Sequence, residues 1–134
     1  MSLKHVAALA ALLLLNGNVA AAAEKGGVLD WGCNDVVAIG RVKTLAYTDM
    51  TGNDDVLGHG RFDTQVSVKR LVRGHEARRT LPASRIAHGQ IRSDRDFILV
   101  LTRSSVNASY TIRTAALWKA TPRPVLAAAC SPTP

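Results

Sequence analysis

Residues 62–72 (FDTQVSVKRLV) begin with a strict alternation of side chains, in which Phe62, Thr64, Val66 and Val68 share one face and polar residues share the other. A period of two residues is the signature of a β-strand with one buried face. The alternation slips at residues 70–72, which predicts a bulge or a strand end before Gly74. No segment after the N-terminal leader favours a long helix, so this pattern predicts an all-β fold.

Four further segments bring the expected number of strands to five. Residues 36–47 are rich in β-branched side chains and predict a long strand that bends at Gly40. Residues 96–102 form an apolar run, which predicts a strand buried on both faces. Residues 110–118 alternate again, whereas residues 80–91 contain a proline and predict a short edge strand followed by a loop.

The connections favour a small sandwich or barrel. Residues 49–60 hold three glycines and three aspartates, a composition typical of a loop or hairpin tip. Residues 125–130 fit either a last strand or a short helical turn. The side chains expected in the core are those of Val37 or Ile39, Val66, Val68, Ile98, Val100 and Ile112.

The first 23 residues have the three regions of a secretory signal peptide. One lysine precedes an apolar run over residues 6–15, and small residues follow up to Ala23. The run is shorter than the roughly 20 residues that a bilayer span needs. We expect cleavage after Ala23, or up to two residues earlier, with no stable membrane insertion afterwards. One domain over residues 24–134 remains, with its core at about 33–130.

Cys33 and Cys130 are the two cysteines of the chain and lie near the ends of its mature part. An even pair in an exported protein predicts a disulfide. A zinc or redox role would need more ligands or closer spacing, as in C-x-x-C. The pair therefore indicates a structural bridge in a periplasmic or secreted protein.

Residues 33–42 (CNDVVAIGRV) resemble the opening of the netrin-like module, which occurs in tissue inhibitors of metalloproteinases and at netrin C-termini. In that family a long loop follows, and then a strand that ends in a basic-hydrophobic-x-Gly turn, where residues 66–74 fit. Residues 96–101 fit a later strand with an aromatic-aliphatic pattern. The similarity covers about residues 33–105 and implies an OB-like five-stranded closed barrel, in agreement with the strand count.

The chain departs from this family at the residues that inhibit metalloproteinases. The mature inhibitors begin with a cysteine whose free amine and carbonyl chelate the protease zinc. Here Cys33 lies nine residues beyond the expected start at Glu24, and the family's several disulfides are reduced to one. The inhibitory wedge of the family therefore carries over to no residue of this chain.

Residues suited to catalysis or metal binding do not form a recognisable motif. His59, His75 and His88 fall in predicted loops without an H-E-x-x-H frame, so we expect solvated histidines. Asp54 and Asp55 lack the spacing of a calcium loop and favour an acidic turn. No serine has a G-x-S-x-G context. We expect no catalytic residue, no metal and no cofactor, and hence no enzyme.

Basic side chains outnumber acidic ones by 17 to 10, which gives a net charge of +7, and many lie within residues 69–95. A basic patch attracts phosphates, sulfates or carboxylates, although a well-solvated charged surface is the alternative interpretation. We expect Lys69 to point outward, Arg78 and Arg79 to be free in solvent, and the basic residues to share one face. The candidate anion-binding residues are Lys69, Arg70, Arg73, Arg78, Arg79 and Arg85.

Together these features predict an exported, non-catalytic binding module that recognises a protein or an anionic envelope or extracellular polymer. The alternative is an inhibitor of a secreted hydrolase that acts through a loop. Export argues against a nucleic-acid partner, and so does the scarcity of aromatic side chains on which bases would stack.

Overall fold

The structure, a computed structural model, describes residues 27–132, so the expected signal peptide and its cleavage site lie outside the described residues. Within this range all regular secondary structure is β. The strands are β1 (Val28–Leu29), β2 (Val36–Asp49), β3 (Gly60–Arg73), β4 (Thr80–Ala87), β5 (Phe97–Arg103), β6 (Tyr110–Leu117) and β7 (Val125–Leu126). Residues 27–132 contain no helix that is long and apolar enough to cross a membrane.

Five strands close into a barrel in the order β2-β3-β4-β6-β5. Strands β4 and β6 pair in parallel, and the other neighbours pair antiparallel. This arrangement confirms the predicted all-β class with an OB-like five-stranded closed barrel. The barrel form removes the open sheet edges that a sandwich would leave.

Strand β2 bends where its sequence predicts, because its pairing register with β3 shifts between Ile39 and Gly40. A Cβ atom at Gly40 would lie 2.3 Å from the carbonyl oxygen of Ser67, so only glycine allows the two backbones to approach here. Strand β3 ends as expected before Gly74, whose φ of 81° favours glycine.

The barrel interior holds the larger of two apolar clusters, which includes Val42, Val66, Leu99, Leu101 and Ile112. Val68 packs against this cluster and is only partly buried, so the expectation that it is a core residue is only partly met. It pairs with Gly40, which has no side chain to cover it.

A second cluster lies outside the barrel, on the outer face of β2 and β5. It is built from Leu29, Val37, Ile39, Ile98 and Val100. Strand β5 therefore directs Phe97, Leu99 and Leu101 inward and Ile98 and Val100 outward into a covered layer, which confirms that this strand is buried on both faces.

The cover over the outer cluster comes from the two ends of the described chain. Strands β1 and β7 pair in parallel, and the predicted disulfide joins Cys33 to Cys130 beside them. Buried Asp35 holds the adjoining turn by accepting hydrogen bonds from the Gly32 amide and from Thr102. The disulfide closes a sequence separation of 97 residues and fixes both ends on one face of the barrel.

Candidate anion-binding face

The six predicted anion-binding residues do not share one face, and that expectation is wrong. On β4, Arg85 pairs with Phe62 near the start of β3, whereas Arg73 is the last residue of β3. Eleven residues of strand at about 3.3 Å each separate those two positions by roughly 36 Å along β3. The two residues are close in sequence but not in space, because antiparallel β4 pairs only with residues 60–67 of β3, and Arg73 lies beyond that paired part.

Arg78 is not free in solvent as expected but is held by an internal carboxylate. Its side-chain Nε and Nη2 atoms donate to the two carboxylate oxygens of Glu76 at 3.1 and 2.9 Å, and Nη1 donates to the Ala108 carbonyl. The hydroxyl of buried Tyr110 also donates to Glu76, at 2.5 Å. Arg78 is committed to this network, while neighbouring Arg79 is exposed.

Lys69 points outward as expected, and it shares the carboxylate of Asp96 with Arg41 of β2. Its Nζ lies 2.8 Å from Asp96, which also binds the Nε of Arg41 at 3.0 Å. These two cations lower the pKa of Asp96, Lys69 having the larger effect. Arg41, Lys69 and Asp96 together therefore carry one net positive charge.

Arg70 lies over the ring of Trp118, with its guanidinium carbon 5.5 Å from the ring centroid. Arg123, which the sequence did not single out, lies 4.3 Å from the same ring. Trp118 in turn packs on the outer apolar cluster, and its backbone amide donates to the Asp96 carbonyl at 2.9 Å. One indole therefore supports two guanidinium groups, a stacking geometry that arginine favours.

Arg73 lies 6.0 Å from the centroid of the second indole, that of Trp31. Trp31 packs on the same outer cluster and donates its Nε1–H to the Ala127 carbonyl at 2.9 Å. We call the surface formed by Arg70, Arg73, Arg123, Trp31 and Trp118 the arginine–tryptophan face.

Within the described part of the chain, the three arginines of this face have no acidic partner. Among residues 27–132, no salt bridge involves Arg70, Arg73 or Arg123, whereas Lys69 and Arg78 are both paired. Their charge is therefore open to an external anion.

An open groove of about 280 Å³ adjoins the face, since Lys119 follows Trp118 in the chain and Asp96 binds Lys69. Its lining carries four cations and two acids. The cations are Arg41, Arg92, Arg95 and Lys119, and the acids are Asp94 and Asp96. The lining therefore has a net charge of +2, and three of its cations, Arg41, Arg92 and Arg95, are paired with Asp96 or Asp94.

Arg85 lines a second groove, beside Phe97 and Ala115, which shares Arg92 and Leu117 with the first. Two of the histidines that were expected to be solvated are in contact with each other, because the rings of His59 and His88 have centroids 3.8 Å apart. His75 lies in the turn after β3, next to Gly74 at the other end of that strand.

From the sequence, aromatic side chains were noted only as scarce, and the two tryptophans were not joined to the arginines. The signal that could have done so is the cysteine pair. A bridge from Cys33 to Cys130 carries Trp31 and the segment after Trp118 onto the same part of the barrel. Which strand lies beneath them depends on the closure of the barrel, which no local pattern specifies.

In comparisons with known proteins, the chain matches no protein-family model, no curated protein and no solved structure. The function is therefore argued from the geometry of the chain itself.

Proposed function

We propose that this protein is an exported, non-catalytic binding module that recognises an anionic polymer through its arginine–tryptophan face. The observation that carries the proposal is that three guanidinium groups, none of them paired with an acid among residues 27–132, lie within 6.0 Å of two indoles anchored in the outer apolar cluster. The disulfide indicates a non-cytoplasmic, oxidising compartment. A polymer of the envelope or the extracellular space is a partner that such a compartment supplies.

The chemistry of the face favours sulfate or phosphate groups. Guanidinium groups bind these oxyanions through paired N–H donors, and contact with an indole ring leaves N–H donors available, of which Arg73 uses one on the Val72 carbonyl. A side chain already held against a ring also loses less conformational freedom on binding than a free one. The face is open rather than a deep pocket, which suits a chain with repeated anionic groups better than a single small ligand.

The test is a binding titration with a sulfated polysaccharide at low and at physiological salt. We expect weak, saturable binding that falls as salt rises, because screening acts over about 8 Å at physiological ionic strength. A triple variant with Arg70→Gln, Arg73→Gln and Arg123→Gln should lose the binding and remain folded.

A matched triple variant separates this face from the net charge of the molecule. Arg61→Gln, Arg79→Gln and Arg85→Gln also remove three positive charges, but from other parts of the surface. This control should keep most of the affinity. Equal losses in the two triple variants would reduce the interaction to general charge attraction and defeat the proposal.

A second candidate, an inhibitor of a secreted hydrolase, is favoured by the loop between β2 and β3. Val56 is 97% exposed and Leu57 77% exposed, and Met50 at the start of the loop is also exposed. Adjacent exposed apolar side chains on a projecting loop are typical of a protein contact. Replacing Val56 and Leu57 by Asp should abolish inhibition of any susceptible hydrolase and leave polysaccharide binding unchanged.

A further inference from the structure

The pairing of β3 with β4 brings two histidines together at one end of the barrel. Gly60, the first residue of β3, pairs with Ala87, the last residue of β4. His59 precedes Gly60 and His88 follows Ala87, so antiparallel pairing places these two positions opposite one another. Their rings are in contact, with centroids 3.8 Å apart.

The loop before β3 adds a carboxylate to this pair. Gly58, with a φ of 69°, allows a tight turn that directs the Asp55 carboxylate onto Nδ1 of His59. The pKa of Asp55 is lowered chiefly by this hydrogen bond. One potential ligand atom from each of Asp55, His59 and His88 lies within 4.8 Å of the others.

The second histidine is oriented by the same turn. Nδ1 of His88 lies 2.6 Å from the Gly58 carbonyl, an acceptor that places the ring proton on Nδ1. A proton there leaves Nε2 with the lone pair that a metal requires, and such a backbone contact is the usual support of a ligating histidine.

We infer that Asp55, His59 and His88 form a binding site for a zinc ion, with a fourth position open to water or to a partner's side chain. Two imidazole nitrogens and one carboxylate are ligands that suit Zn²⁺, whereas Ca²⁺ and Mg²⁺ prefer oxygen ligands. Bonds of about 2.1 Å in a tetrahedral site place ligand atoms about 3.4 Å apart. Ligand atoms that lie within 4.8 Å of one another would have to adjust to that spacing when the ion binds.

A bound ion would connect the β2–β3 loop to the end of β4. Asp55 and His59 flank Val56 and Leu57, the exposed apolar residues of this loop. Zinc would therefore fix the conformation in which the loop presents those two side chains. This role is independent of the arginine–tryptophan face.

The test is calorimetric titration of the purified, disulfide-bonded protein, without a histidine tag, with ZnCl₂ alone. We expect one Zn²⁺ per chain and a rise in melting temperature with zinc. His59→Gln and His88→Gln should each weaken binding by at least about 100-fold, since loss of an outer-shell partner alone costs 10- to 100-fold.

The matched control is His75→Gln, which removes a histidine from the turn after β3 and should leave zinc binding unchanged. Circular dichroism verifies that each variant is folded. If His59→Gln is unfolded, His88→Gln decides alone, because the side chain of His88 is exposed. Absence of zinc binding, or affinity in His88→Gln equal to that in His75→Gln, would overturn the inference.

Discussion

Glu76 links the turn after β3 to the barrel core, and replacing it by Gln tests how that turn is held. Its side chain is only 6% exposed and accepts hydrogen bonds from the side chain and backbone of Arg78 and from the Tyr110 hydroxyl. These hydrogen bonds, those from the Arg78 side chain above all, lower the pKa of Glu76 from 4.5 to about 2.

The depressed pKa determines how stability depends on pH. A carboxyl whose pKa is lower in the folded state stabilises the fold above its unfolded pKa of 4.5, and this contribution is lost as pH falls toward about 2. The shift corresponds to at most about 3 kcal/mol at pH 7. Since the Arg78 side chain is 39% exposed, solvent screening reduces the contribution to about 1–3 kcal/mol.

Glu76→Gln keeps the shape of the side chain and removes its charge and its titration. The free energy of unfolding, measured by urea denaturation, should fall by about 1–3 kcal/mol at pH 7. The difference between parent and variant should shrink by about 1–2 kcal/mol between pH 7 and pH 3, because only the parent loses the carboxylate.

Comparing the two proteins at each pH cancels the titration of the other carboxyl groups. Asp94→Asn is the control, because its ion pair with Arg92 is exposed at both partners and should contribute little to stability. A difference between parent and Glu76→Gln that stays constant from pH 7 to pH 3 would refute the argument.

Three further changes test the fold. Val100→Asp places an unpaired charge at a fully buried position and should lower the free energy of unfolding by more than about 4 kcal/mol in thermal or urea unfolding. Its control, Val106→Asp, changes a residue that is 90% exposed and should cost less than about 0.5 kcal/mol. Similar costs for the two variants would show that β5 is misplaced. Gly40→Ala should lower the melting temperature by several degrees, because the new Cβ meets a backbone oxygen of β3; an unchanged melting temperature would contradict that close approach. Replacing both Cys33 and Cys130 by Ser should destabilise the protein by up to about 4–5 kcal/mol, and an equally stable reduced parent would show that the bridge does not support the fold.

Local patterns in the sequence were sufficient for the five long strands, whereas closure of the barrel was implied only by the family resemblance, and β4, predicted as an edge strand, pairs with both β3 and β6. The period of two in β3 and the continuous apolar run of β5 report which faces are buried, since each depends on neighbours within one strand. The bend at Gly40 and the disulfide were also predictable, because glycine in a strand and a lone cysteine pair each have few structural uses.

The two sites depend on contacts between segments far apart in the chain, which no local pattern encodes. The arginine–tryptophan face needs Trp31, from the start of the domain, and Trp118, which Arg123 from its end lies against, to pack on the same outer cluster of β2 and β5. Strands β1 and β7 have two residues each, too few to show a period.

The histidine pair depends on strand register. Pairing of Gly60 with Ala87 brings His59 and His88 together, and a slip of one residue would turn the side chains of β4 to the opposite face.

The ion pair of Arg78 could not be predicted for a different reason. Its partner Glu76 is only two residues away, but the hydrogen bonds between them depend on the exact shape of the turn.

The arginine–tryptophan face can be tested most directly through its two indoles, because Trp31 and Trp118 are the two tryptophans of the chain. In ¹H–¹⁵N spectra each contributes one side-chain N–H signal. Titration with a sulfated polysaccharide at low salt should shift both signals, that of Trp118 more because two guanidinium groups lie against its ring, and the shifts should vanish at high salt. Shifts confined to the surroundings of Arg61, Arg79 and Arg85, with both indole signals unmoved, would contradict the proposed binding face.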